Sequence, residues 1–240
     1  MPALDILTRK EDLAAEALQG RVCIVLDVLF ATTTIVTALA HGAAAVWPAL
    51  DRDEALAIAA SLEAGTPVRL AGEYLSELLE GFQSPLPMHL ATTLAPGDRV
   101  IYATTNGTLA LRAALPAAAV YAAALVNAAA TVAHVRARHP DADVLIVCSG
   151  SMGRFNLEDF RGAGELAAHF PAQDYRFSDT VLAALALRQA LPAATALHDS
   201  RLGRMMDARG ARDEVHYSAG IDTLDVVALL HPDTAIRNFL

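Results

Sequence analysis

The chain alternates between short, unbroken apolar runs and longer stretches in which apolar residues return every three or four positions. Residues 21–27 (RVCIVLD) are apolar throughout their centre, which predicts a strand covered on both faces. Residues 32–41 then predict a helix closed by Gly42. A second strand is predicted at 44–50. A second helix starts at Asp51, with Glu54 placed as in a capping box, and runs to Gly65. Strands follow at 68–72, 99–103, 118–125 and 144–148, with helices at 108–115 and 128–138, the latter capped by Asn127. Beyond this the pattern turns mostly helical, at 158–170, 179–191 and 193–208, with a short strand at 226–230. Residues 73–96, broken by Gly81, Pro85 and Pro87, show no period, and a long irregular segment in a compact α/β protein tends to belong to a site.

Strands in alternation with helices predict a layered α/β/α fold with largely parallel strands. The 240 residues read as one domain, 1–240, or as two closely packed α/β subdomains, with no linker or repeat to divide them. Residues 113–135 are almost wholly apolar, yet Pro116 and Asn127 interrupt them, so they predict a strand followed by a helix and no membrane span. The formal charge of −9 repels nucleic acid and anionic lipid, so neither is an expected partner. An anionic substrate then needs a local positive field. Cys23 and Cys148 sit in strand-like runs, the placement of reduced, buried thiols. The first residues show no signal-peptide pattern, and a cytoplasmic location is expected.

Three strand–loop–helix segments share one design. The first places Asp27 at a strand end, then Thr32 and Thr33 at a helix start. The second places Thr104, Thr105, Asn106, Gly107 and Thr108 between strand and helix, and the third places Cys148, Ser149, Gly150, Ser151 and Gly153 before a helix carrying Glu158 and Asp159. In parallel α/β sheets, strand carboxyl ends and helix amino ends share one edge, where anions bind. The three loops are therefore expected to converge on a small anionic phosphoester, held by hydroxyls and glycine amides. A carboxylate ending an apolar strand is costly unless paired or bound to a cation, which marks Asp27. Glu73, after the 68–72 strand, and Asp159, after the glycine loop, are similar cases. Three such acids suit magnesium, which takes oxygen ligands and polarises a phosphoryl oxygen. Glu158 reads equally as a first-turn acid complementing its helix dipole. A rival reading takes Cys148 to Arg154 as the Cys-x5-Arg loop of a thiolate phosphatase. A third is an anion-binding protein without catalysis. The eight histidines show no zinc spacing, and no nucleotide-binding glycine motif is present.

Taken together, DVLFATTTI, Gly72-Glu73, EGF at Gly81, TTNGT, CSGSMGRFNLEDF followed by GAG at 162–164, and GRMMDARGARDEV occur in an order that resembles the 2-phosphosulfolactate phosphatase family over nearly the whole chain. The resemblance implies a magnesium-dependent phosphatase that releases phosphate from 2-phospho-3-sulfolactate, a step toward coenzyme M, on an α/β fold that forms a homodimer. It implies that Asp27, Glu73 and Asp159 lie near the metal and the attacking water. The substrate anion would meet Thr32, Thr33, Thr104, Thr105, Asn106, Gly107, Thr108, Cys148, Gly150 and Gly153. Two departures stand out: Phe30 and Tyr74 occupy positions where the family usually has arginine. Each lost charged hydrogen bond is worth about 1.5–3 kcal/mol. A less charged phosphoester, or an anion bound without turnover, are the alternatives this leaves.

Overall fold

The computed structural model describes residues 1–62 and 67–240. Strand β1 (Ala3–Leu7) leads through short 3-10 turns to β2 (Val22–Leu26) and helix α1 (Ala31–Ala40). Next come β3 (Ala45–Ala49), α2 (Arg52–Ser61), β4 (Val68–Tyr74), β5 (Glu77–Leu78) and α3 (Pro87–Thr93). They are followed by β6 (Arg99–Ala103), α4 (Gly107–Ala113), β7 (Ala119–Ala123), α5 (Ala128–Arg138) and β8 (Val144–Cys148). The remainder comprises α6 (Leu157–Ala168), β9 (Arg176–Phe177), α7 (Asp179–Ala190), α8 (Ala193–Asp199), α9 (Arg201–Ala208), α10 (Arg212–Ser218) and the hairpin β10 (Ala228–Leu230) to β11 (Ile236–Asn238).

The strands form one mixed sheet in the order β5-β4-β6-β3-β11-β10-β7-β2-β8-β1-β9. It contains two parallel blocks, β4-β6-β3 and β7-β2-β8-β1-β9. The antiparallel hairpin β10–β11 joins them by pairing with β7 on one side and β3 on the other. Three successive antiparallel pairings reverse the strand direction between the blocks. The layered α/β/α expectation holds, but the blocks do not share a common carboxyl edge as they would in a flat parallel sheet.

Curvature around α1 resolves this. Every residue of α1 from Ala31 to Leu39 is buried. Ile35, Val36 and Leu39 pack in one cluster with Val25, Val46, Val100, Val120 and Ala228, drawn from both blocks and the hairpin. Alternate strand residues face outward. On the larger block, Ile24 and Ile146 pack under Val132, Leu166, Val181 and Leu197 of α5 to α8. On the smaller block, Trp47 and Ile101 pack against Ala55 of α2. The continuous apolar runs of β2 and β8 are thus buried on both faces, as their sequences require.

Several local details differ from expectation. Strand β1 and the second arm of the terminal hairpin were not anticipated, being short and of mixed polarity. The single helix expected at 193–208 is two, broken where Ser200 Oγ caps α9 by accepting from Gly203 N–H at 2.9 Å. Asn127 does not cap α5: its Oδ1 accepts from Ala124 N–H at 2.9 Å and its Nδ2 donates to Val226 O at 3.0 Å. Asp51 does cap α2, accepting from Glu54 N–H at 2.8 Å. The expected end of that helix at Gly65 lies outside the described residues. Residues 113–135 divide between β7 and α5, and no single helix among the described residues is long and apolar enough to cross a membrane.

Because Ile35 is wholly buried at the centre of this wrap, Ile35→Ala is expected to cost about 2–5 kcal/mol. Urea unfolding should show a lowered midpoint with an unchanged slope. A loss under about 1 kcal/mol would mean that α1 is not the packed centre of the sheet.

Candidate active site

The carboxyl ends of β2, β4 and β6 meet at a cavity of about 460 Å³. Asp27 leaves β2 at its floor, and Glu73 enters from β4. Thr104, Thr105 and Asn106 follow β6, and Ser151 comes from the loop after β8. The wall opposite is helical, with Arg201, Leu202, Met205, Met206 and Arg209.

Asp27 is 6 % exposed. Gly107 makes its placement possible: a Cβ there would overlap Ala31 and come within 2.7 Å of Asp27 Oδ2. Burial, then the charge of Glu158, then that of Glu73, push the Asp27 carboxyl up to about 7, against the Ala31 N–H and the Lys10 ammonium. Lys10 reaches in from near the amino terminus, donating from Nζ to Asn106 Oδ1 at 2.9 Å.

The other two expected acids are engaged elsewhere. Glu73 accepts from Thr105 N–H at 2.7 Å, Thr105 Oγ1 at 2.9 Å and Ser76 N–H at 2.5 Å. It therefore clamps the β4–β5 turn to the loop after β6. Asp159 is fully buried and does not line the cavity. It accepts from Val28 N–H at 2.9 Å, Gly150 N–H at 3.2 Å and Asn156 Nδ2 at 3.3 Å, joining two loops from beneath. Burial, then Glu158 and Asp27, raise its carboxyl well above the ordinary range. The triad Asp27, Glu73 and Asp159 is not brought together as a metal cage, and among the described residues no three His, Cys, Asp or Glu side chains form one.

Glu158 is the acid that sequence reasoning undervalued. It is 1 % exposed, and its Oε1 has no hydrogen-bond partner. Burial raises its carboxyl, against Ser200 and Arg201. A first-turn acid complementing a helix dipole is usually solvated, so the dipole reading does not account for this one. Arg201 and Arg209 were also missed, because the helical tail gave no strand-end signal.

The loop hydroxyls and amides largely serve the loops. Thr32 Oγ1 donates to Asp27 O and accepts from Asp27 N–H, and Thr33 Oγ1 donates to Val28 O. Both threonines are fully buried. Thr108 Oγ1 likewise closes onto Thr104 O at 2.9 Å. Gly150, at φ +62°, is crowded against Arg9 and Arg154 O, and its N–H is spent on Asp159. The amides of Ser149 and Ser151 bond Leu26 O and Arg154 O. Gly153, at φ +70°, is open around its Cα and gives its carbonyl to Arg9 Nη1. Of the expected anion contacts, Thr104, Thr105 and Asn106 face the cavity, whereas Thr32, Thr33, Gly107, Thr108, Cys148, Gly150 and Gly153 do not line it.

Cys148 is fully buried at the end of β8. Burial, then Asp159 and Glu158, hold its thiol far above the ordinary value, and a protonated thiol is not a nucleophile. Arg154 is exposed and outside the cavity. The Cys-x5-Arg reading therefore fails on geometry and on charge. Phe30 lines the cavity as an apolar wall, while Tyr74 is 63 % exposed and outside it.

Residues 7–233 match the family described as 2-phosphosulpholactate phosphatase. Similar proteins include a probable 2-phosphosulfolactate phosphatase of Symbiobacterium thermophilum, 37% identical over 221 residues that span 89% of this chain and 92% of the relative. One of the same name from Deinococcus radiodurans is 36% identical over 225 residues, covering 92% of each chain. A third, from a Cyanothece strain, is 33% identical over 213 residues, covering 85% of this chain and 86% of the relative.

The raised carboxyl of Asp27 has a consequence for stability. Its ordinary value is about 3.9, and in the fold it is pushed up to about 7. The neutral form is favoured by folding, so its contribution is complete below about pH 4 and is lost as pH rises through 7. In metal-free buffer Asp27→Asn should exceed the parent in stability at pH 8, by on the order of 4 kcal/mol, with the gap closing toward pH 4. Urea unfolding across this range checks it, and parallel curves for the two proteins would refute it.

Proposed function

This chain belongs to the 2-phosphosulpholactate phosphatase family, and from that footing we propose that it is a magnesium-dependent phosphoric monoester hydrolase acting on 2-phospho-3-sulfolactate. The observation that carries the magnesium assignment is a pair of buried carboxyl groups, Asp27 lining the cavity and Glu158 outside it, that the chain compensates incompletely. Asp27 is held up to about 7 by burial and by neighbouring acids, and Glu158 behind it has a carboxylate oxygen without a partner. Glu73 and Asp159 each accept from two backbone N–H groups whereas Asp27 has the Ala31 N–H alone, so Asp27 is the direct ligand and Glu158 supports it. One or two carboxylates, completed by water and substrate phosphate, is the ordinary magnesium arrangement. When bound, the cation neutralises the phosphoryl oxygens.

The residues of the chain supply the rest. Asp27 would hold the ion as a carboxylate, the form a ligand takes, so its raised carboxyl makes binding strengthen as pH rises through about 7. Glu73 fixes Thr105 and the β4–β5 turn, so that one wall keeps its shape while the ester is bound. Leu29, Phe30 and Leu86 line the cavity and keep bulk water from its floor. The reading extends to a cytoplasmic homodimer serving coenzyme M synthesis. The motif order along the chain supports that extension, and sedimentation of the purified protein tests the dimer.

Phosphate release from 2-phosphosulfolactate should require magnesium and stop in excess EDTA. Asp27→Asn, which removes the direct ligand, should lower kcat by ~10²–10⁴-fold, while Cys148→Ser retains turnover. Independently of activity, magnesium should raise the melting temperature of the parent at pH 8 and not that of Asp27→Asn. Release that survives EDTA, or equal magnesium stabilisation of both proteins, would sink the metal assignment.

A further inference from the structure

A second cavity opens at the other edge of the sheet. Its volume is about 430 Å³, within the ~300–1,000 Å³ of ordinary ligand sites. Its lining includes Ala119, the first residue of β7. Ala119 pairs with Val22, where β2 begins, whereas Asp27 follows the end of β2. The two cavities share no lining residue.

The polar side chains of this lining converge from separate elements. Tyr121 lies on β7, His134 and Arg138 lie on α5, and His231 follows β10. His139, at the end of α5, is joined to Tyr121 by a 3.0 Å hydrogen bond between its Nε2 and the phenol oxygen. Phe239 sits among them. Its ring meets that of His134 edge to face, with centroids 5.2 Å apart, and the Arg138 guanidinium lies over it at 5.7 Å. The His231 ring is 6.5 Å from the same ring, so Arg138 and His231 both flank Phe239.

Charge in this cavity is one-sided. Its lining holds no carboxylate, in a chain whose formal charge is −9. Arg138 makes none of the ion pairs or hydrogen bonds found among the described residues, and its defined contact is the Phe239 ring. Asp233, the acid of the adjoining hairpin turn, is held by Arg237 Nη1 at 2.9 Å and Nη2 at 2.5 Å. His231 Nε2 is buried and has no hydrogen-bond partner. Buried polar atoms are satisfied as a rule, so one left open in a cavity wall marks a place for a ligand atom. Basic residues at the end of α5 also complement its dipole, which accounts for Arg138 and His139 but not for His231 on the hairpin. That helix end opposes an anion only weakly beside a charged, bidentate hydrogen bond.

We infer that this cavity is a second binding site, for a planar aromatic carboxylate, held at its charged end by the Arg138 fork and His231 Nε2 and along its ring by Phe239 and His134. A guanidinium fork matches a carboxylate with two parallel hydrogen bonds. Aromatic walls favour a flat ring, stacked or edge-on, over a puckered one. The inference stands apart from the phosphatase reading, because none of these residues lines the first cavity.

The test is calorimetric titration of the full chain with 2-naphthoate, with its neutral amide, and with its saturated decahydro analogue. Naphthoate is expected to bind with a Kd on the order of 0.1 mM, as suits a fragment of this size. It should bind about tenfold more tightly than the amide, the worth of a charged hydrogen bond, and several-fold more tightly than the saturated acid. Arg138→Gln should abolish the preference for acid over amide, and His231→Gln should weaken naphthoate several-fold. Arg209→Gln, at the first cavity, should leave its affinity unchanged. Equal affinity of the parent for acid and amide, or no binding of naphthoate at millimolar concentration, would overturn the inference, and this comparison needs no variant to fold. Binding that survives Arg138→Gln and is lost in Arg209→Gln would also overturn it, by placing the ring in the candidate active site.

Discussion

Helix α1 has no polar face to give to water, and the rest of the fold follows from covering it. Its sequence, ATTTIVTALA, is buried from Ala31 to Leu39. A flat sheet covers one side of a helix only. Here the sheet reverses direction through the β10–β11 hairpin and curls, so that both parallel blocks, the hairpin, α3 and α4 pack against α1. The threonines in the helix are tolerated because the hydroxyls of Thr32, Thr33 and Thr34 bond carbonyls, Thr34 reaching Pro85 O at 2.9 Å, and that of Thr37 pairs with Tyr217 Oη at 3.1 Å. The same curl brings strand ends from opposed blocks to the amino end of α1. The cavity is a product of that closure, since a flat sheet of this strand order would hold Asp27 and Thr104 at opposite edges.

Closure also sets the electrostatics. Asp27, Glu158 and Asp159 are all within a tenth of full burial, and each is raised first by desolvation and then, for the two aspartates, by Glu158. The fold offsets this unequally. Backbone N–H groups of Val28 and Gly150 satisfy Asp159, whereas Asp27 has the Ala31 amide and the field of Lys10, and one oxygen of Glu158 has nothing. Unequal compensation among neighbouring acids separates structural carboxylates from reactive ones. Asp159 and Glu73 hold loops in register, and the open negative charge is concentrated at Asp27.

The strand–helix alternation and the capping of α2 were legible because they depend on local periodicity and on a side chain three residues from its target. Asp27 and Glu73 were legible for a different reason: a carboxylate ending an apolar strand is conspicuous. Much of the rest was not local. The expectation that threonines and glycine-loop amides face the ligand assumed that such groups are free, yet Thr32, Thr33 and Gly150 are engaged by neighbours that the spacing does not reveal. The shared edge expected of parallel strands was right in outcome and wrong in cause, because the antiparallel hairpin comes last in the chain and its partners are far away in sequence. Arg201 gave no signal and Arg209 appeared only within the GRMMDARGARDEV segment, since they lie at the two ends of α9, whose docking over the strand ends is a tertiary fact.

Those two arginines bear on the departures at Phe30 and Tyr74. Arginine at Tyr74 would project from a residue that is 63 % exposed and outside the cavity, and Phe30 contributes apolar wall where a guanidinium would bring charge. Positive charge at the cavity is instead carried by Arg201 and Arg209 on the helical cap and by Lys10, whose field reaches Asp27. The nearest acid for Arg209 is the exposed Glu77, whereas Arg201 bonds the neutral Asn156 and its charge acts on Glu158. Lys10 and Arg201 thus offset buried acids, while Arg209, whose ion pair is exposed, keeps most of its fork for a ligand and so helps to orient it. Orientation, more than total charge, then decides which ester places its phosphorus over Asp27.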